Sequence, residues 1–255
     1  MIKLIHGDCL DKMAEIEDGS IDMVLADPPY GTTACKWDSI IPLEPMWEHL
    51  MRVIKPNGAI CLFGTEPFSS ILRRSNMVGF RYDWYVKKNY PSGVNFARRQ
   101  PMRVIEMVSV FSNLPTCYFP QMRNCADSVK KRWKDGDLMK LPSALKGSVD
   151  HAIKNSYERP VRHKVFPYNF LNYKWPPRCK GTMHPTQKPV ELMGYLIETY
   201  TNEGETVLDF TMGSGTTGVA CKNLNRSFIG IEKDDRYFKI ASDRINKQNS
   251  QDGGA

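Results

Sequence analysis

Val207-Leu208-Asp209-Phe210-Thr211-Met212-Gly213-Ser214-Gly215-Thr216-Thr217 reads as a buried strand that runs into a glycine-rich turn and then into a helix. Gly213 and Gly215 let backbone approach a ligand closely, and the start of the helix offers unpaired N–H groups. The next strand ends in Ile229-Gly230-Ile231-Glu232, which sets Glu232 at a strand tip 17 residues beyond Gly215. A carboxylate there can accept both hydroxyls of a bound ribose, as does the acid that follows a Rossmann glycine loop. Taken alone, strand-Gly-x-Gly-helix also serves dinucleotides, so the pattern outlines a site for a nucleoside-containing cofactor without naming it.

Outward from this stretch, strands and helices alternate. Toward the C-terminus the spacing predicts a helix over Gly215 to Asn223, a strand over Ser227 to Ile231 and a helix over Asp234 to Asn246, with a helix over Pro189 to Tyr200 and a strand over Thr206 to Asp209 ahead of them. The first third shows the same rhythm: strands at Ile2 to His6 and Ile21 to Ala26, a helix at Cys9 to Ile16, and another at Leu43 to Ile54. A Pro56-Asn57-Gly58 turn, a strand from Ala59 to Phe63, a helix from Pro67 to Met77 and β-rich runs at Arg81 to Lys87 and Arg103 to Phe111 follow. Such alternation implies βαβ units around a largely parallel sheet, an α/β domain. Between Asn113 and about Gly181 the rhythm disappears. The tail from Gln248 to Ala255 is polar and glycine-rich and is expected to fray.

Hydrophobic content of 41% and charged content of 25% are ordinary for a globular chain. No run approaches the ~18 apolar residues that span a bilayer, and Gly7-Asp8 interrupts the start before a signal-peptide core could form, so a cytoplasmic location without membrane partners is expected. The seven cysteines are scattered and form no C-x-x-C pair, which argues for reduced thiols and against a disulfide framework or a metal site. The charge is uneven: Gln121 to Lys180 carries +9 and the remainder −2. A near-neutral body with one basic segment suits a polyanion.

Asp27-Pro28-Pro29-Tyr30 follows directly on the buried strand Ile21 to Ala26. In an open α/β sheet the C-terminal strand ends line the ligand crevice, so these residues should face the same cleft as the glycine turn. Their chemistry suits methylation of an exocyclic amine, a poor nucleophile because its lone pair is delocalised into the ring. If the Asp27 carboxylate and the Pro28 carbonyl accept its two hydrogens, the nitrogen can pyramidalise, and the same oxygens stabilise the positive charge that grows on it. Tyr30 offers a face on which an unstacked base can lie, and flipping is needed because the target amine is paired inside a duplex.

Together these segments resemble the amino-methylating DNA methyltransferases of adenine N6 and cytosine N4, in the permuted beta class where Asp-Pro-Pro-Tyr precedes the target-recognition segment and the glycine loop comes last. The resemblance runs from His6-Gly7-Asp8 to Gly230-Ile231-Glu232. It implies a Rossmann-like methyltransferase fold dependent on S-adenosyl-L-methionine, with a seven-stranded, mostly parallel sheet in circularly permuted order and one strand reversed. It also implies a bacterial or phage origin and the setting of restriction–modification. By the same resemblance, Asp27, Pro28, Pro29 and Tyr30 are catalytic, while Asp209, Phe210, Gly213, Ser214, Gly215, Thr216, Thr217 and Glu232 bind the cofactor. Asp8 corresponds to the acid near the cofactor's adenine amine, and as a helix N-cap it can serve both ends. His184-Pro185-Thr186-Gln187-Lys188-Pro189 looks like the segment that closes over the methionine end, through His184, Thr186 and Lys188. Thr211 departs from the pattern, standing where the family usually has Phe.

Residues 1–112 and 181–247 would then form the catalytic domain, 113–180 a basic target-recognition insertion and 248–255 a flexible tail. The DNA-reading part is expected from about Asn89 to Lys180. Its phosphate-neutralising groups are Arg98, Arg99, Lys130, Lys131, Arg132, Lys134, Arg159, Arg162 and Lys164, with Tyr168, Tyr173 and Trp175 supplying aromatic surface. The leading expectation is site-specific methylation of adenine N6 in double-stranded DNA, since cytosine-N4 enzymes commonly carry Ser at the position of Asp27. Cytosine N4 is the nearest alternative, and methylation of RNA or a protein amide, where Asn usually leads, a further one. A catalytically inactive DNA-binding protein of the same fold is an alternative from a different class. A homodimer is compatible with the sequence.

Overall fold

Met23 to Ala26 and Ala59 to Phe63 are apolar at every position, which is what a strand needs when both faces of its sheet are covered. The computed structural model, which describes residues 1–31, 39–124, 164–175 and 187–247, places both runs at the centre of such a sheet. In chain order the elements are β1 (Ile2–His6), α1 (Cys9–Met13), β2 (Ile21–Ala26), α2 (Leu43–Val53), β3 (Ile54–Gly64), α3 (Phe68–Ser75), β4 (Phe80–Ser92) and β5 (Arg103–Phe111). There follow β6 (Arg123–Asn124), β7 (Lys164–Val165), β8 (Phe170–Asn172), α4 (Val190–Tyr200), β9 (Thr206–Asp209), α5 (Thr216–Asn223), β10 (Ser227–Glu232) and α6 (Asp235–Lys247). The chain divides into two compact units, Met1–Phe119 with Asn169–Ala255, and Pro120–Tyr168.

The larger unit holds a sheet in the order β1-β10-β9-β2-β3-β5-β4-β8. Only β5 runs against the rest: it pairs antiparallel with β3 and with β4, and every other pairing is parallel. The sheet has eight strands among the described residues, one more than the seven expected. The additional strand is β8, three residues of the segment expected to be inserted, whose Phe170, Leu171 and Asn172 pair with Tyr85, Val86 and Lys87 at the sheet edge. Tyr173 and Trp175, expected as aromatic binding surface, are half-buried and pack against the main core.

Alternate residues of each central strand point to opposite faces, so one strand feeds two cores. Met23, Leu25, Ala59, Cys61, Phe63, Val207 and Phe228 join the side chains of α4, α5 and α6 on one face. Ile21, Val24, Ala26, Ile60, Leu62, Leu208 and Ile229 join those of α1, α2 and α3 on the other. Truncating one of the buried Leu, Ile, Met or Phe side chains among these to Ala costs about 2–5 kcal/mol in comparable cores. Pro56-Asn57-Gly58, expected as a turn, lies within β3. There the register slips, because β2 advances from Ile21 to Met23 while β3 advances from Ile54 to Ala59. The extra residues are taken up as a bulge.

The two cores also locate the crevice. Parallel neighbours β9 and β2 send the chain to opposite faces, β9 into α5 and β2 into α2. Diverging connections at adjacent strand ends leave a gap at the C-terminal edge of the sheet, which is where ligands bind in this architecture. Because β5 is reversed, its N-terminal residues reach that same edge. Among the described residues no helix is long and apolar enough to cross a membrane. In the smaller unit β6 and β7 pair antiparallel, and the Arg123 guanidinium sits 3.9 Å over the Tyr168 ring.

Candidate active site

The gap opens into a cleft of about 720 Å³ lined by residues from both ends of the chain, among them Asp8, Asp27, Tyr30, Gly213 and Glu232. Each stands at or within four residues of a strand's C-terminal end: Asp8 after β1, Asp27 and Tyr30 after β2, Gly213 after β9, and Glu232 as the last residue of β10.

At the C-terminal side the turn is shaped by backbone. Gly213 has φ 51° and Gly215 φ 76°, the left-handed region in which glycine is not strained. The two glycines differ in use. Gly213 lines the cleft, whereas Gly215 does not. A Cβ on Gly215 would stand 3.0 Å from both Ala241 Cβ and Ile245 Cδ1, so its bareness lets α6 pack on the turn. The Glu232 carboxylate accepts from Gly213 N–H at 2.9 Å and from Asp234 N–H at 2.8 Å. Burial nevertheless pushes its pKa upward. Asp209 is more deeply buried and takes Thr217 Oγ1–H at 2.5 Å and Thr211 N–H at 3.1 Å. Desolvation outweighs those bonds and lifts its pKa to about 7. Arg244, a residue the sequence did not single out, braces the turn from behind by donating to Ser214 O at 3.1 Å and Thr216 Oγ1 at 3.0 Å. Phe210 is buried, and the Thr211 hydroxyl beside it is buried without a hydrogen-bond partner among the described residues.

Asp8 does cap α1, accepting from Leu10 N–H at 3.1 Å, and its other oxygen takes Lys233 Nζ–H at 2.8 Å. The Lys233 bond holds its pKa below the usual carboxylate range.

At the N-terminal side side chains replace backbone. Asp27 is half-buried; one of its carboxylate oxygens accepts from the Tyr30 hydroxyl and the other from Lys188 Nζ–H at 2.5 Å. The Tyr30 ring leans on Phe68, with centroids 5.2 Å apart. Lys188 is 5% exposed and lies just ahead of α4, with its ammonium 4.9 Å from the Phe63 ring centroid. Behind it stands Glu106 of β5, whose Oε2 is 3.3 Å from Lys188 Nζ and whose Oε1 accepts from Lys88 Nζ–H of β4 at 3.0 Å. Four alternating charges thus run inward from the cleft. Burial opposes the charged form of both inner groups. The neighbouring opposite charges win in each case, holding Lys188 above and Glu106 below its ordinary pKa.

Sequence reading missed this chain of charges. Glu106 sits inside the apolar-looking run of β5, and nothing local marks it as lining the cleft or Lys88 as its partner. Lys188, expected beside the cofactor, is paired with Asp27. Arg98 and Arg99 are exposed just beyond the short helical turn at Val94–Phe96, and Lys164 is exposed on β7. His184, Thr186, Lys130, Lys131, Arg132, Lys134, Arg159 and Arg162 lie outside the described residues.

Comparison with known proteins agrees with this geometry. A family model described as DNA methylase, of the N6/N4 methyltransferases, matches residues 21–243. The chain is 27% identical over 259 residues to the type II methyltransferase M.HpaI of Haemophilus parainfluenzae, covering 96% of this chain and 74% of that one. It is also 27% identical over 269 residues to M2.DpnII of Streptococcus pneumoniae, covering 96% and 90%. Among solved structures it is similar to M1.HpyAVI in complex with SAM, with 27% identity, a TM-score of 0.60 and coverage of 96% and 100%. The PvuII cytosine-N4-specific DNA methyltransferase shares the fold at 17% identity, with a TM-score of 0.64 and coverage of 97% and 87%.

Proposed function

The chain belongs to the DNA methylase family, and from that premise we propose that it transfers a methyl group from S-adenosyl-L-methionine to the N6 amine of adenine at a specific site in duplex DNA, after the base has been turned out of its stack. The observation that supports the reading most is that Asp27 and Glu232, from opposite ends of the chain, line one cleft.

The residues fit the cofactor. Gly213, with no side chain and its N–H turned to Glu232, leaves backbone open at the cleft wall, while the carboxylates of Glu232 and Asp8 suit hydroxyls and an amine. The cofactor supplies a sulfonium methyl with a good leaving group, so most of the acceleration falls to positioning. Asp27 accepts a hydrogen of the target amine and, with the Pro28 carbonyl, opposes the charge that grows on its nitrogen. Tyr30 steadies Asp27 through its hydroxyl and presents its ring to the flipped base, a contact worth roughly 1–3 kcal/mol. The Asp-Pro-Pro-Tyr segment ahead of the glycine turn corresponds to the permuted arrangement. The basic segment 113–180, together with Arg98 and Arg99, takes the phosphates and reads the target.

Asp at position 27 favours adenine over cytosine, and relatives named as type II methyltransferases make a restriction–modification setting our reading. Incubating DNA with labelled cofactor and mapping the modified bases tests this at once. Label on adenine N6 at one short motif is expected; label on cytosine N4 would move the acceptor, and none would remove the activity.

A further inference from the structure

Arg244 of α6 brings its guanidinium to the start of α5, where Nη1 donates to Ser214 O at 3.1 Å, to Ser214 Oγ at 3.3 Å and to Thr216 Oγ1 at 3.0 Å. A cation at the first turn of a helix stands against the helix dipole. This one is partly buried as well, which pushes its pKa down, and among the described residues no carboxylate answers it. A desolvated charge without a counter-charge is destabilising, and an arriving anion would relieve it.

The two hydroxyls point to where that anion sits. A guanidinium can only donate, so Ser214 Oγ and Thr216 Oγ1 are both held as acceptors and their own hydrogens must go elsewhere. Ser214 is 4% and Thr216 6% exposed, both residues line the cleft, and neither hydroxyl hydrogen has an acceptor among the described residues. Thr217 gives the contrast, since its hydroxyl is spent on Asp209 at 2.5 Å. The neighbouring carboxylates of Asp209 and Glu232 are each held by donors other than Ser214 and Thr216.

We propose that Arg244 is a positioning residue for the carboxylate at the methionine end of S-adenosyl-L-methionine: it turns the Ser214 and Thr216 hydroxyls into a pair of donors, whose hydrogens close on the carboxylate oxygens when the cofactor enters. The inference rests on the cofactor assignment above, because the carboxylate is the anionic group that this cofactor carries. Arg244 is not among the residues that line the cleft, so it acts through the hydroxyls, and a hydroxyl that accepts from a cation is a stronger donor in turn. No covalent bond changes and no proton is transferred.

Calorimetric binding of S-adenosyl-L-methionine and of its decarboxylated analogue, which keeps the adenosine, sulfonium and amine, tests this. Arg244→Met should weaken binding of the cofactor about tenfold and leave the analogue within about twofold of its affinity for the unaltered chain. A brace that merely keeps the turn in shape would weaken both alike. Arg244→Lys, which restores a cation but not the fork, should recover part of the loss. Thr216→Val should show the same selectivity, and combined with Arg244→Met it should lose little more than the worse single variant, because both cut one chain of hydrogen bonds. Equal losses for the two ligands, an undiminished affinity for the cofactor, or additive losses in the double variant would each overturn the proposal. Should Arg244→Met fail to fold, Arg244→Lys is read on the same two ligands, with a smaller loss confined to the cofactor as the expected result and an equal loss or none as the contrary one. An unaltered chain that binds no S-adenosyl-L-methionine removes the cofactor assignment itself, an outcome distinct from all of these.

Discussion

Two carboxylates face the same cleft and are held in contrasting ways. Glu232 is gripped by backbone N–H groups of Gly213 and Asp234, whose positions follow from the strand and turn around them. Asp27 is gripped by side chains, Tyr30 from its own turn and Lys188 from a distant part of the chain. A backbone-held group is as rigid as the fold, whereas a side-chain-held one can exchange partners without disturbing any strand. That division suits a site in which one end binds a small methyl donor of fixed shape and the other receives a base that must be brought in and oriented.

Either grip can be removed on its own. Asp27→Ala should lower methyl transfer by on the order of 10²–10³-fold while cofactor affinity measured by calorimetry persists. Undiminished turnover would deny the side-chain-held end its role. Gly213→Val forces a β-branched residue into φ 51° at the cleft wall, and cofactor binding should be lost; normal affinity would place the cofactor elsewhere. Charge reversal at Lys130, Lys131 and Arg132 should leave both carboxylates working while weakening DNA binding and flattening its salt dependence, the slope falling by about 0.9 for each phosphate contact removed. An unchanged slope would put DNA on another surface.

Asp209 sharpens the contrast, because it has one backbone donor and one side-chain donor and is buried besides. Its pKa rises from 3.8 to about 7, so the folded chain binds a proton there that the unfolded chain releases. That contribution is complete at low pH and is lost as pH climbs through about 7. Measured against Asp209→Asn, the unaltered chain should therefore lose melting temperature between about pH 4 and pH 7 and change little above that; parallel curves would show that burial does not hold the proton.

Much of this architecture could be read from the residues, for a physical reason. A strand covered on both faces is apolar at each position, so β2, β3, β9 and β10 announce themselves. The glycine turn and Asp27-Pro28-Pro29-Tyr30 are contiguous, and contiguous chemistry is visible in a string. What escaped is what depends on pairing. β8 is three residues long and exists only because the edge of β4 accepts it. Pro56-Asn57-Gly58 has the composition of a turn and becomes a bulge because strands continue on either side. Gly215 was read only as making room for a ligand, and its bare Cα also lets α6 pack on the turn. Lys88, Glu106 and Lys188 are separate in sequence and meet only when β4, β5 and the start of α4 converge, with Glu106 hidden in a run that looks like core.

The pairing of β1 with β10 and of β2 with β9 also constrains how the molecule is made. During synthesis the N-terminal strands leave the ribosome long before their neighbours exist, so β2 spends that interval with a bare hydrogen-bonding edge, the kind of template on which chains aggregate. Closure of so wide a loop makes assembly slow relative to a fold built from adjacent pieces. Competence to react therefore arrives late, when β9 and β10 have been delivered in close succession to fill the gap between β2 and β1.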